Sequence, residues 1–309
     1  MKVKDLVSIH DLTEEEVQEV FTLSKDVKAQ PQKYRDTLRH KTLAMVFEKP
    51  SLRTRVTFET GMTQLGGHAI YLAQDVGLGK RETVRDIAKN LERWVEGVML
   101  RTFAHSTVTE MAAHARVPVI NGLTDLLHPC QALADYFTMI EKFGNLKGRK
   151  LAYVGDGNNV AHSLMFGGAK LGVEVRVATP AGFEPNPAIV AQATEDAKRT
   201  GAKIAVLQDP AAAVAGVDAV YTDVWASMGQ ESQAQDRAKI FPPYQVNASL
   251  MANAAPHAVF LHCLPAHRND EVTDEVLDGP QSVVLDEAEN RLHVQKAIMI
   301  LLMARRAGA

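Results

Sequence analysis

A chain of 309 residues is longer than one ordinary core requires, so its length predicts two domains of about 150 residues each. Hydrophobic residues make up 46% and charged ones 23%, with a net charge of −3, which is a globular composition giving no reason to expect nucleic acid or an acidic membrane surface as partner. Two cysteines, Cys130 and Cys263, are too few for a disulfide framework; no apolar run reaches membrane-spanning length and no signal peptide precedes the first helix, so a cytoplasmic protein is expected.

In chain order, TEEEVQEVFTLSKDV reads as a helix capped by Thr13, with acids in its first turn. TLAMVF, Thr42 to Phe47, is an apolar run of strand length that ends at Pro50. Ser51 is then a good N-cap, and the spacing of Leu52, Val56, Phe58, Met62 and Leu65 predicts a helix burying one side. Ser51 to Thr54 thus stand at a helix start. Free backbone N–H groups and the dipole attract an anion there, and Ser51, Arg53 and Thr54 add donors suited to phosphate. Arg55 is better read as the i,i+4 partner of Glu59. GGHAIYLAQ reads as a second strand, DVGLGKRE as a glycine-bearing loop opening a helix near Thr83, and GVMLR as a third strand ending in Arg101. Helix TVTEMAAHAR leads to strand VPVIN, loop GLTDLL and helix HPCQALADYFTMIEKFG, with Pro129 at the favoured first position. At that helix start the dipole would disfavour charged His128, leaving a neutral imidazole to donate to a polarised carbonyl. Together with the arginines it suits an acyl phosphate.

The pattern restarts near FGNLKGRK with strand KLAYV, loop GDGNN, helix NVAHSLMFGGAKLG and strand VEVRVA. AKIAVLQD, DAVYTD and AVFLHCL are further strands, each delivering polar residues at the C-terminal end, where open α/β sheets bind ligands. The last helix, EAENRLHVQKAIMILLMARR, is expected to return to the first domain. The predicted fold class is therefore α/β, two domains each built on a parallel sheet flanked by helices, covering 1–135 and 148–285, with 286–309 as the returning helix.

Gly155 and Gly157 have the first two spacings of a dinucleotide fingerprint. Val160 replaces the third glycine, however, and VEVRVATP ends in Thr179 and Pro180 without the acid that holds a ribose, so an NAD-dependent dehydrogenase is the weaker reading. Asn158 and Asn159 suit either a polar substrate arm or a turn. Asp223, beside Ser227, Met228 and Gly229, suits an amino group or serves as an N-cap. His262, Cys263 and His267 lack the paired ligand spacing of structural zinc, so no metal is expected, and nothing local gives Cys263 a base and an orienting group.

These motifs together resemble the aspartate/ornithine carbamoyltransferase family from the first helix to the last. FEKPSLRTRVTFE and DLLHPCQALAD resemble its carbamoyl-phosphate motifs, while DVWASMG and HCLPAHR resemble the ornithine branch. The resemblance implies that Ser51, Leu52, Arg53, Thr54, Arg101, His128, Gln131 and Arg291 bind carbamoyl phosphate. It implies that Asn159, Asp223, Ser227 and Met228 hold the amino-acid end of ornithine, and that Cys263 and the carbonyl of Leu264 sit beside the attacking δ-amine. Arg53, Arg101, His128, Asp223 and Cys263 are the expected catalytic set. Two departures stand out: Leu52 replaces the usual threonine, and Gly77 stands where many relatives carry glutamine. Carbamoyl transfer from carbamoyl phosphate to ornithine, without a cofactor, is the expected activity, with domain closure aligning the substrates. A putrescine-type acceptor is the nearest rival and a homotrimer the implied assembly.

Overall fold

Thr42–Phe47, apolar on both faces, form one of the two inner strands of a four-stranded parallel sheet, because a strand covered by helices on either side has no solvent face to keep polar. A computed structural model describes residues 1–73, 77–78, 81–226 and 234–304. The chain divides into two units, Met1–Leu133 with Glu289–Ala309, and Ala134–Ala288.

The first unit's sheet has the order β2-β1-β3-β4, from β1 (Thr42–Phe47), β2 (His68–Leu72), β3 (Gly97–Arg101) and β4 (Val119–Leu123). Its helices are α1 (Glu14–Ala29), α2 (Leu52–Gln64), α3 (Val84–Leu91) and α4 (His105–His114), with the start of α5 (Pro129–Phe143). The capping box expected of Thr13 is present, Thr13 and Glu16 each closing on the other's backbone. Thr83 caps α3 through Asp86 N. The second unit's sheet, all parallel, has the order β7-β6-β5-β8-β9, from β5 (Lys150–Val154), β6 (Glu174–Ala178), β7 (Ile204–Leu207), β8 (Ala219–Thr222) and β9 (Val259–His262). Around it run α6 (Asn159–Leu171), α7 (Pro187–Thr200), α8 (Pro210–Val214), α9 (Ala234–Ile240), α10 (Ala248–Met251) and α11 (Asp274–Leu277). The last helix, α12 (Val284–Met303), joins the first unit from Glu289 onward, where buried Lys296 donates to Gln64 at 2.9 Å.

Several details depart from the sequence reading. On α2 the buried face is Thr54, Phe58, Gly61 and Met62, followed by Leu65, whereas Leu52 and Val56 are 75% and 49% exposed. Successive residues turn by 100°, so Leu52 and Val56 fall on the side opposite Phe58, Met62 and Leu65, each of which contributes about 1.5–3 kcal/mol by burial. The fourth helix starts at His105 rather than Thr107, and β4 runs two residues beyond VPVIN because Leu123 pairs with Arg101 across a register shift. Helices α7 to α11 were not anticipated. All but α7 are seven residues or fewer, too short to show a periodicity, and α7 is marked mainly by its Asn186 cap and Pro187.

Candidate active site

In each sheet the chain reverses its direction of growth beside the first strand, between β1 and β3 and between β5 and β8, and ligands of such sheets bind at the C-terminal strand ends there. In the first unit three loops meet at this end. Glu48 N donates to Arg101 O at 2.8 Å, Phe103 N donates to Glu48 Oε2 at 3.2 Å, and Lys49 pairs with Asp125 while its Nζ lies 4.3 Å over the Phe103 ring. Buried Lys49 is thereby compensated, and the loops after β1, β3 and β4 are tied together.

From this base Ser51 caps α2, its Oγ accepting from Thr54 N at 3.3 Å. The buried Thr54 hydroxyl accepts from Arg101 Nη1 at 3.4 Å and from Arg291 Nη2 at 3.3 Å. Arg291 also donates to Gln131. With its amide oxygen turned toward the guanidinium, Gln295 accepts from Arg291 Nε at 3.2 Å and Nη2 at 2.9 Å while donating to Thr57. Arg291 is thus held rigid by three neutral oxygens, and its positive charge is left available to an anion. His128, just before α5, is buried. Its pKa lies well below the usual histidine value because of burial first, and then the charges of Arg291, Arg101 and Arg53. The imidazole is neutral, as expected, and burial with three nearby cations is what holds it so. The structure thus brings Ser51, Thr54, Arg101, Gln131 and Arg291 together, with the charge of Arg53 felt at His128. Leu52 offers only its backbone, and Arg55 turns away to Glu59 at 3.0 Å. Gly77 has φ +64°, a left-handed conformation open to glycine at no steric cost. The rest of DVGLGKRE lies partly outside the described residues.

In the second unit Asp223 follows β8 and Cys263 follows β9. Cys263 Sγ donates to Asp223 Oδ1 at 3.1 Å, Val224 N donates to the same oxygen at 2.8 Å, and Asn158 Nδ2 donates to Asp223 Oδ2 at 2.8 Å. Burial, then the Asp223 charge, pushes the Cys263 thiol well up, so it is a neutral donor and not a nucleophile. His262, fully buried, accepts from Leu264 N at Nδ1 (2.9 Å), which leaves Nε2 to donate to Glu271 at 3.2 Å. Its own N–H donates to Glu287 Oε2 at 2.9 Å. This bracing holds Leu264 at φ +56°, an uncommon conformation for a branched side chain, ahead of a cis Leu264–Pro265 bond. Asn159 opens α6 and is buried. Ser227, Met228 and Gly229 lie outside the described residues.

The side-chain ligand atoms of Asp223, His262 and Cys263 lie within 4.8 Å of one another, but both His262 ring nitrogens are already committed, to Leu264 N and Glu271; His267 is not in the group. The dinucleotide reading meets a steric obstacle. A Cβ on Gly157 would lie 2.6 Å from Phe183 O and Glu184 C and would also meet Pro185 N, so the chain itself fills the space a pyrophosphate would need. The sequence reading missed Gln295, four residues after Arg291 and so on the same helix face, and it missed Lys49, Glu271 and Glu287.

A family model described as "Aspartate/ornithine carbamoyltransferase, carbamoyl-P binding domain" matches residues 4–141, and one described as "Aspartate/ornithine carbamoyltransferase, Asp/Orn binding domain" matches residues 147–302. The chain belongs to the aspartate/ornithine carbamoyltransferase family. Within it, the ornithine carbamoyltransferase of Symbiobacterium thermophilum is 56% identical over 307 residues, 98% of this chain and 99% of that one. An enzyme of Pyrococcus furiosus described as "Ornithine carbamoyltransferase, anabolic" is 53% identical over 303 residues, 97% of this chain and 96% of that one. The solved ornithine carbamoyltransferase from Pyrococcus furiosus superposes with a TM-score of 0.95 at 52% identity, covering 98% of this chain and 97% of its own. The ornithine transcarbamoylase from Giardia lamblia does so at 0.90 and 38% identity, with both chains fully covered. The carbamoyltransferase fold thus accounts for both parallel sheets of this chain.

Proposed function

We propose that this carbamoyltransferase moves the carbamoyl group of carbamoyl phosphate to the δ-amine of L-ornithine, giving L-citrulline and phosphate. The observation that carries this reading is that the two units hold opposite environments. One unit holds Arg53, Arg101 and Arg291 around a neutral His128, suited to an acyl phosphate, and the other holds Asp223 against a neutral Cys263 thiol, suited to an amine. Relatives more than 50% identical across nearly the whole chain carry the ornithine name. In the transfer the amine nitrogen bonds to the carbamoyl carbon, the bond from that carbon to the phosphate oxygen breaks, and the amine proton passes to the departing phosphate. Arg53, Arg101 and the His128 N–H would stabilise the oxygens on which charge grows, and Asp223 would hold the amino acid's ammonium group.

The assay is citrulline formation from carbamoyl phosphate with L-ornithine, putrescine and L-aspartate offered separately. Strong preference for ornithine is expected, and turnover of putrescine instead would reassign the amine site while keeping the phosphate site. We also propose a cytoplasmic trimer or multiple of trimers. Both cysteines are free, no helix among the described residues is long and apolar enough to cross a membrane, and Leu52 and Val56 share an exposed apolar face. Sedimentation at the monomer mass would overturn the trimer.

A further inference from the structure

Asn158, in the GDGNN loop, commits both ends of its side-chain amide to other groups of the chain. Its Oδ1 caps α6 by accepting from Val160 N at 2.9 Å and Ala161 N at 3.3 Å, and it accepts from the Tyr153 hydroxyl at 3.2 Å. Three donors on the oxygen fix which way the amide faces, so the Nδ2 group is obliged to point the other way. There it donates to Asp223 Oδ2 at 2.8 Å. Tyr153 is itself immobile, fully buried and stacked on Tyr221 with ring centroids 5.9 Å apart. A rigid relay therefore runs from the core of the sheet to one carboxylate oxygen.

A carboxylate offers about four lone-pair directions. Among the described residues three are taken at Asp223, two on Oδ1 by Val224 N and Cys263 and one on Oδ2 by Asn158. No described residue takes the remaining direction, on Oδ2. Resting on the ornithine reading above, we propose that Asn158 is a positioning residue: it locks the Asp223 carboxylate so that a single oxygen lone pair is presented to the ammonium group of the amine substrate. Without Asn158 the carboxylate keeps only its Oδ1 anchors and rotates about them, and the substrate must then order it on binding.

The experiment is steady-state kinetics of the full-length wild type, Asn158→Ser, Asn158→Asp and Tyr153→Phe, with thermal unfolding of each. Serine and aspartate cap a helix about as well as asparagine, so the fold of α6 is retained. Serine is too short to reach Asp223, and aspartate faces it with a second carboxylate. Asn158→Ser is expected to raise KM for ornithine about tenfold or more, the range for a hydrogen bond to a charged group, with KM for carbamoyl phosphate within about twofold. Asn158→Asp is expected to lose more, because it sets a second carboxylate against Asp223. Tyr153→Phe keeps the ring stack, and by withdrawing one hydroxyl it raises the same KM a few-fold. Unchanged KM for ornithine in Asn158→Ser, or an equal rise for both substrates together with a lower Tm, would overturn the proposal and leave a capping role. Wild type that carbamoylates another amine would refute the ornithine reading alone, and the same ratios are then read with that amine. Wild type inactive with every amine would sink both.

Discussion

The two strand-end clusters are opposite in charge yet alike in how they treat a titratable group. In the first unit, burial and three guanidinium charges push His128 down to neutrality; in the second, burial and the Asp223 carboxylate push Cys263 up to neutrality. Each cluster thus sets charged side chains beside an uncharged hydrogen-bonding group. Burial alone would disfavour any charge, so what distinguishes the clusters is the neighbour: like charge around the imidazole, a would-be like charge beside the thiol. The second thiol, the buried Cys130, shows the contrast. Its pKa is pushed up to about 12 by burial, but it donates to Asn121 O at 3.4 Å and has only a packing role.

The sharpest way to break the comparison is at the cationic cluster. Arg53→Ala should lower kcat/KM by about 10²–10³, or about 3 kcal/mol of transition-state stabilisation, on the scale of a removed oxyanion donor. A variant near wild-type efficiency would place the developing charge elsewhere. At the anionic cluster, Asp223→Asn should raise KM for ornithine by about tenfold to a hundredfold. It should also bring the Cys263 pKa down, since the second of its causes is gone, and alkylation of the thiol at mildly alkaline pH should quicken. Alkylation no faster than in wild type would mean that burial alone sets the thiol.

The smallest effect concerns stability and lies beneath the second cluster. Glu287 accepts from His262 N and, at 3.3 Å, from the Tyr221 hydroxyl, and it is hydrogen-bonded to Asp135. Burial, then the Asp135 charge, raises its pKa well above the ordinary 4.5, so the folded chain keeps a proton that the unfolded chain releases. The stability this contributes is full below the unfolded value and is lost as pH rises through the folded one. Glu287→Gln replaces the protonated acid by an amide of the same shape. Its Tm should therefore fall less than wild type's between about pH 5 and pH 8, and parallel curves would rule out a proton held there.

How much of this was legible differs between the clusters. The cationic cluster could be read because its parts are local: an N-cap serine, donors within one helical turn, and strands ending in Arg101 and before His128. The Asp223 cluster was legible only as residue types, because its geometry depends on three strands brought side by side, ending at residues 154, 222 and 262. Asn158 and Asn159 illustrate this. Either could have been the substrate arm from sequence, and only the approach of β8 to β5 shows Asn158 turned onto Asp223.

The sequence by itself determined the alternation of strands and helices, the helix starts at Thr13, Ser51, Thr83 and Pro129, and the family through its two long motifs. Those features are set by neighbours within a few residues, where capping, periodicity and apolar runs act. Tertiary structure alone decided which side of α2 is buried, which charges surround His128, and which groups hold each oxygen of Asp223. Each of these depends on charges and donors tens to hundreds of residues away in the chain, such as Arg291 reaching Thr54 across 237 positions. Burial then turns that proximity into a choice of protonation state, which no local pattern encodes.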